Sequence, residues 1–251
     1  MQAKGLGDLL IDYVSWRSRY VGQRPRTVSV EPAACADLRW AAHSDAIEIF
    51  LEKMRRGDDL MPHLSIAPRT RGYAPAARAQ NAPPADRWSD KDFVLNAMGY
   101  HHFHLGQTIH PRGHVDRTND LIVAEVHREK FHVIAIFGHE VFDHDSAERM
   151  RLWSAHDKVA FGGMLPGSVA ISALNTTFGH TLHSVHYAKQ CAKWIRRLEP
   201  LLDGPISAAG LYARDHPPPP RPKFSWTFDH LDFFITEEVE PTNFVLMRGW
   251  N

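Results

Sequence analysis

Residues 121–137 read LIVAEVHREKFHVIAIF, two apolar runs parted by His127, Arg128, Glu129 and Lys130. Both runs are rich in β-branched or aromatic side chains, and the charged tetrad is too short for a helix, so the pair predicts an antiparallel hairpin. Just upstream, YHHFHL (100–105) alternates. As a strand it puts Tyr100, His102 and His104 on one face and His101, Phe103 and Leu105 on the other. These three segments predict the body of a central antiparallel sheet.

Outward from that sheet the patterning turns helical. Residues 6–21 (LGDLLIDYVSWRSRYV) place Leu9, Leu10, Tyr13, Val14, Trp16 and Tyr20 near a 3.6-residue repeat. Asp37 is placed to cap a second helix through LRWAAHSDAIEIFLEKMRR (38–56), with Leu38, Ala42, Ala46, Ile49, Phe50 and Met54 on one face and Gly57 as its stop. From 62 to 87, Pro and Ala erase any period, which reads as a linker or long surface loop. Downstream, SAERMRLWSAHDKVA (146–160) predicts a helix opened by Asp145 or Ser146, and residues 181–202 predict another. HPPPPRP (216–222) reads as an extended spacer, and FSWTF and FVLMRGW as strands around a polar turn. The expected fold class is α+β, with N-terminal helices, a central antiparallel sheet carrying the hairpin at about 121–137, and a C-terminal helix and short strands. The expected organisation is a helical section at 1–61, a linker at 62–87, and an α+β core domain at 88–251 with the Pro-rich arm at 216–222.

Composition narrows the function classes. The 251 residues hold 29 Lys+Arg against 29 Asp+Glu, which excludes a globally basic nucleic-acid protein. No run approaches the roughly 18 to 20 apolar residues of a membrane helix, and the two cysteines, Cys35 and Cys191, make no CxxC pair. The expectation is a cytoplasmic chain with no membrane partner. Walker, GxGxxG and GxSxG motifs are all missing, against phosphate-loop enzymes, Rossmann dehydrogenases and α/β-hydrolases.

The unusual feature is 17 histidines, 13 of them between His101 and His186. Imidazole titrates near neutral pH and is the commonest metal ligand, so a local excess points to proton transfer or to metal. His102 and His104 share a strand face at a spacing of about 7 Å. In GHEVFDHD (138–145), His139, Asp143 and His144 emerge where a strand ends, a place that delivers side chains into a loop. Arg117, at the entry to the hairpin, can hold a phosphate through two hydrogen bonds or pair with Asp116 or Asp120. His180, His183 and His186 follow an i, i+3, i+6 stripe along the helix predicted at 181–202.

The order of these features, a polar strand (YHHFHL), an arginine entering a hairpin strand (RTNDLIVAEV), and a second strand ending in histidine (FHVIAIFGHEVF), resembles the C-terminal half of RelE-like toxin endoribonucleases. The resemblance covers about residues 98–142. It implies a metal-independent ribonuclease of toxin type, with Arg117 as the phosphate clamp and His139 as general acid or base; the partner role, which family members give to a carboxylate or lysine, we assign here to His104 or His102. It also implies RNA or the ribosome as target and an antitoxin or activator as a protein partner. The segment 101–145 carries 4 Lys+Arg against 7 Asp+Glu, a weak field for a polyanion. Two rival readings use the same residues. One is a metal-dependent hydrolase holding a divalent transition metal on some of His102, His104, His139, Asp143, His144, His180 and His183. The other is a non-enzymatic homo-oligomeric binding protein whose aromatic surfaces make contacts.

Overall fold

The computed structural model describes residues 4–65, 92–143, 145–165, 168, 180–202, 210–213 and 217–251. Its helices in chain order are α1 (Leu6–Arg17), α2 (Pro32–Cys35), α3 (Leu38–Ala42), α4 (Ser44–Arg56), α5 (Asp92–Met98), α6 (Ala147–Phe161) and α7 (Leu182–Leu202). Its strands are β1 (Thr27–Val30), β2 (Tyr100–His104), β3 (Asp120–Val126), β4 (Lys130–Gly138), β5 (Phe224–Asp229), β6 (Asp232–Glu237) and β7 (Thr242–Met247). The class is α+β, and the chain divides into two compact units. One joins α1 to His183–Trp250, and the other runs from Arg19 to Leu182 and takes in Asn251. The stretch expected to be a linker lies outside the described residues beyond position 65. No helix among the described residues is long and apolar enough to cross a membrane.

The larger unit is built on a sheet of order β1-β4-β3-β2. The predicted hairpin is there as β3 and β4, paired from Asp120↔Gly138 to Val126↔Phe131, with one irregularity at Val123/Ala124. β2 adds antiparallel to β3 from Tyr100↔Glu125 to His104↔Leu121. The fourth strand, β1, pairs parallel with β4, so the sheet is mixed rather than wholly antiparallel. Both faces are covered. On one, α4 sets Ile47, Phe50, Leu51 and Met54 against Phe103, Ile122, Ala124, Phe131 and Val133. On the other, α5, α6 and the 3-10 turn at His139–Phe142 set Val94, Met98, Leu152 and Phe142 against Tyr100, Leu121, Val123 and Phe137. A sheet buried on two sides needs apolar residues at successive positions, which is why FHVIAIF is a run and not an alternation.

Capping signals in the sequence act as expected. The Asp37 carboxylate accepts from the Arg39 amide at 2.9 Å, and Ser146, rather than Asp145, caps α6 by accepting from the Arg149 amide at 3.0 Å. Gly57 ends α4 at φ 78°, and a Cβ there would stand 2.5 Å from the Arg24 carbonyl carbon and Pro25 nitrogen. Only glycine serves that stop. The single helix expected over 38–56 is broken at His43 (φ −114°, ψ 17°) into α3 and α4. The break changes the phase of the apolar stripe, so Leu38 is 88% exposed and Ile49 is exposed, while Ile47 and Leu51 are buried.

The smaller unit packs α1 and α7 on a three-stranded antiparallel sheet, β5-β6-β7. Leu10, Val14, Tyr187, Ala188, Cys191, Leu231 and Phe233 form its core. FSWTF and FVLM are strands as expected, and the segment between them contributes the central strand, DFFITE, in addition to turns. The Glu237 carboxylate is wholly buried. It accepts from the amides of Lys223, Val239 and Glu240, and these donations outweigh the effect of burial and hold its pKa below the ordinary value. Burial pushes the free Cys191 thiol up to about 12, which keeps it protonated at neutral pH. Residues 217–222 of the Pro-rich arm form neither helix nor strand, and Pro219 within them is buried.

Candidate functional site

The order of the meander β2–β3–β4 brings three chain positions to one end of the sheet. His104 closes β2 opposite Leu121, and Asp120 opens β3 opposite Gly138, the last residue of β4. His139 follows directly and begins the 3-10 turn. Arg117 lies on the excursion between β2 and β3, which folds back on itself through the bridge Ile109↔Val115. Gly106 makes the return possible. A Cβ at that position would come 2.2 Å from the Asp116 carbonyl oxygen, so the two chain segments touch backbone to backbone. The Leu105 amide then donates to Thr118 Oγ1 at 3.1 Å, and Thr118 Oγ1 donates to the Asp120 carbonyl at 2.7 Å.

This closure places Arg117 against His104. Arg117 Nη1 donates to His104 Nε2 at 2.5 Å, and His104 Nδ1 stands 3.3 Å from the Thr118 carbonyl. A guanidinium has only donors, so Nε2 must accept and the proton of the neutral ring sits on Nδ1, facing that carbonyl. The carboxylates named as rivals for Arg117 are engaged elsewhere. Asp116 pairs with His110 at 2.6 Å and Asp120 with His43 at 2.8 Å. Among the described residues Arg117 has no ion pair with a carboxylate. Partial burial holds the Arg117 guanidinium somewhat below the ordinary arginine value, which leaves it charged at neutral pH.

The His139 ring stacks on His104, with centroids 6.2 Å apart and planes at 30°. Phe142 stands edge-on to His139 at 5.3 Å and to His102 at 4.9 Å. The four residues expected to carry catalysis are therefore linked at one end of the sheet, with unequal access. His104 is 1% exposed and His102 is 9%, while His139 is half-buried and Arg117 exposed. His104 holds the exposed arginine from within, and His102 packs against Phe142.

Among the described residues no group of three His, Cys, Asp or Glu side chains is placed to hold an ion. Asp143 is exposed beyond the 3-10 turn, and His144 lies outside the described residues. His183 belongs to the smaller unit, edge-on to Trp250 at 4.4 Å. His180 is off the expected stripe altogether, because the helix begins at Leu182.

A network with no signature in the sequence anchors the strand end that presents His139. Glu148, on α6, accepts from Arg39 at 2.7 and 3.0 Å, from Arg151 at 3.0 Å, and from the Gly138 amide at 2.8 Å. Asp37 joins it through Arg151 at 3.0 Å. The Arg39 hydrogen bond does most to pull the Glu148 carboxyl from 4.5 to about 2, against burial and with help from Arg151 and the Gly138 amide. Because the folded value is the lower, this stabilisation is complete above about pH 4.5 and disappears as the pH falls toward 2. Glu148→Gln is expected to cost about 2 kcal/mol at pH 7, a figure reduced for the exposure of both arginines. Urea unfolding between pH 7 and pH 2.5 checks it, since the gap between wild type and variant should narrow across the acid window. A gap that stays constant would mean that the carboxylate's charge is not what stabilises.

No family model, curated protein or solved structure matches the chain.

Proposed function

We propose that this end of the sheet is a metal-independent endoribonuclease site in which His139 moves protons and Arg117 holds the phosphate. The observation that carries the reading is the chain of contacts Arg117–His104–His139, a fixed guanidinium and a half-buried imidazole joined through one buried ring. In such a site a base takes the ribose 2′-hydroxyl proton, the oxygen attacks the adjacent phosphorus, and an acid protonates the departing 5′-oxygen. The guanidinium meets the charge gathering on the phosphorane oxygens. His104 is a positioning residue that fixes where the guanidinium points. The resemblance of residues 98–142 to RelE-like toxins supports the same assignment, with RNA, free or on the ribosome, as the substrate class.

Purified protein incubated with total RNA and with translating ribosomes, each in EDTA, tests the reading. EDTA-resistant cleavage leaving 2′,3′-cyclic phosphate ends is expected. Arg117→Ala should slow it about a hundredfold or more, and Arg117→Lys should restore part of the rate by returning the charge without the fork. Absence of cleavage by wild type on both substrates, or an unchanged rate in Arg117→Ala, would overturn it.

A further inference from the structure

Away from that site, β1 and β4 carry a second constellation. Their parallel register pairs Ser29 with His132. Ser29 Oγ lies 2.8 Å from His132 Nδ1, and His132 Nε2 lies 2.9 Å from Glu31 Oε1. One neutral tautomer satisfies both contacts: Nε2–H donates to the carboxylate, and Nδ1 accepts from the serine hydroxyl. Serine, imidazole and carboxylate are then joined in series in the sense that activates a hydroxyl. The imidazole presents its two nitrogens in the reverse of the common order, which leaves the proton path intact.

The surroundings suit a reacting group. The His132 side chain is 14% exposed and Glu31 27%, shielded enough to strengthen the pairing and open enough to be reached. Ser29 and His132 belong to a polar row across the sheet that runs on through Glu125 to Tyr100, and Glu31 directly follows β1. From α6, His156 Nδ1 lies 3.0 Å from the Tyr100 hydroxyl. Burial, then the carboxylates of Glu125 and Glu31, raises the Tyr100 phenol, so it stays protonated at neutral pH. β1 is the edge strand. The amides of Thr27 and Glu31 donate toward β4, so the alternation of the ladder turns the Val30 amide to the outer edge. That amide is one residue past the serine, where an oxyanion donor can stand.

We infer that Ser29, His132 and Glu31 form a nucleophilic triad for acyl transfer from small, uncharged carboxylic esters. The carboxylates of Glu31 and Glu125 disfavour anionic substrates. Ser29 Oγ bonds to the ester carbon as its proton passes to His132 Nδ1, and Glu31 stabilises the resulting imidazolium. The tetrahedral adduct collapses, the bond from carbon to the alkoxy oxygen breaks, and the leaving alcohol takes the proton back. Water then attacks the acyl-serine, giving one proton to His132 and returning Ser29 and a free acid.

An alkyl fluorophosphonate tests this on the intact protein. Its phosphorus bonds to the activated Oγ with loss of fluoride, and intact mass with peptide mapping locates the adduct. Labelling at Ser29 is expected in wild type, none there in Ser29→Ala, and labelling at least tenfold slower in His132→Gln. Ser29→Ala removes one oxygen, and circular dichroism confirms that its fold is kept. No adduct at Ser29 in wild type, or equal rates in wild type and His132→Gln, would overturn the triad.

Discussion

His139→Ala is expected to lower EDTA-resistant RNA cleavage by a factor of about 10² to 10⁴, the range that a positioned acid or base contributes. The substitution leaves the proposed clamp in place, because Arg117 is held by His104. It also leaves the support, since Phe142 is 3% exposed in the core beneath. Binding of RNA should therefore persist while turnover is lost, so kcat falls and KM changes little. His139 is half-buried and lies in a 3-10 turn after the strand, so truncation opens no cavity in either sheet core. Far-ultraviolet circular dichroism and the urea midpoint should match wild type. A folded His139→Ala that cleaves at the wild-type rate would remove His139 from the chemistry, and a KM rise at constant kcat would make it a binding residue.

Phe131→Ala is expected to destabilise the larger unit by about 3 to 5 kcal/mol, the usual range for removing a fully buried phenyl ring. Phe131 is 0% exposed. Its ring lies 5.5 Å from Phe103 on β2 and 5.9 Å from Phe50 on α4, so it ties the sheet to the helix above it. The cavity has little means of collapsing, because β4 is bonded on both sides, to β3 and to β1. A loss of that size is a large share of the roughly 5 to 15 kcal/mol that holds a domain. Urea unfolding followed by hydrogen exchange of the β3 and β4 amides measures it within this unit. A change under about 1 kcal/mol would mean that neighbouring side chains fill the space.

Local chemistry made much of the fold legible. LIVAEV and FHVIAIF state a hairpin by composition, Asp37 and Ser146 cap because a short oxygen-bearing side chain reaches the second or third amide, and Gly57 stops α4 because no Cβ fits there. Signals that depend on distant partners were not legible. TVSV is a four-residue strand that exists by pairing with β4 about a hundred positions away, and no local period announces it. DFFITE is hidden because its burial alternates while its polarity does not: Phe233, Ile235 and Glu237 are buried and Phe234 and Thr236 half-buried, so the buried set ends in a carboxylate and the other begins with a phenyl ring. The break at His43 is invisible to periodicity, which runs through it.

The candidate site divides in the same way. Strand parity alone put His102 and His104 on one face with Tyr100, and the end of an apolar run put His139 at a strand terminus. Parity says which face a side chain takes but not how deep it lies. Depth came from α5, α6 and the 3-10 turn, which bury His102 and His104 and leave His139 half-covered. Charge spacing offered Arg117 two nearby carboxylates. Tertiary structure gave those to His110 and His43, and the close approach at Gly106 turned Arg117 to His104 instead. Sequence by itself determined the β3–β4 hairpin, the strand β2 beside it and their excess of imidazole, and not the parallel strand β1. Which imidazoles meet, and which of them water reaches, was decided by the folded chain, because side-chain contacts between strands, helices and returning loops depend on distances that no sequence spacing encodes.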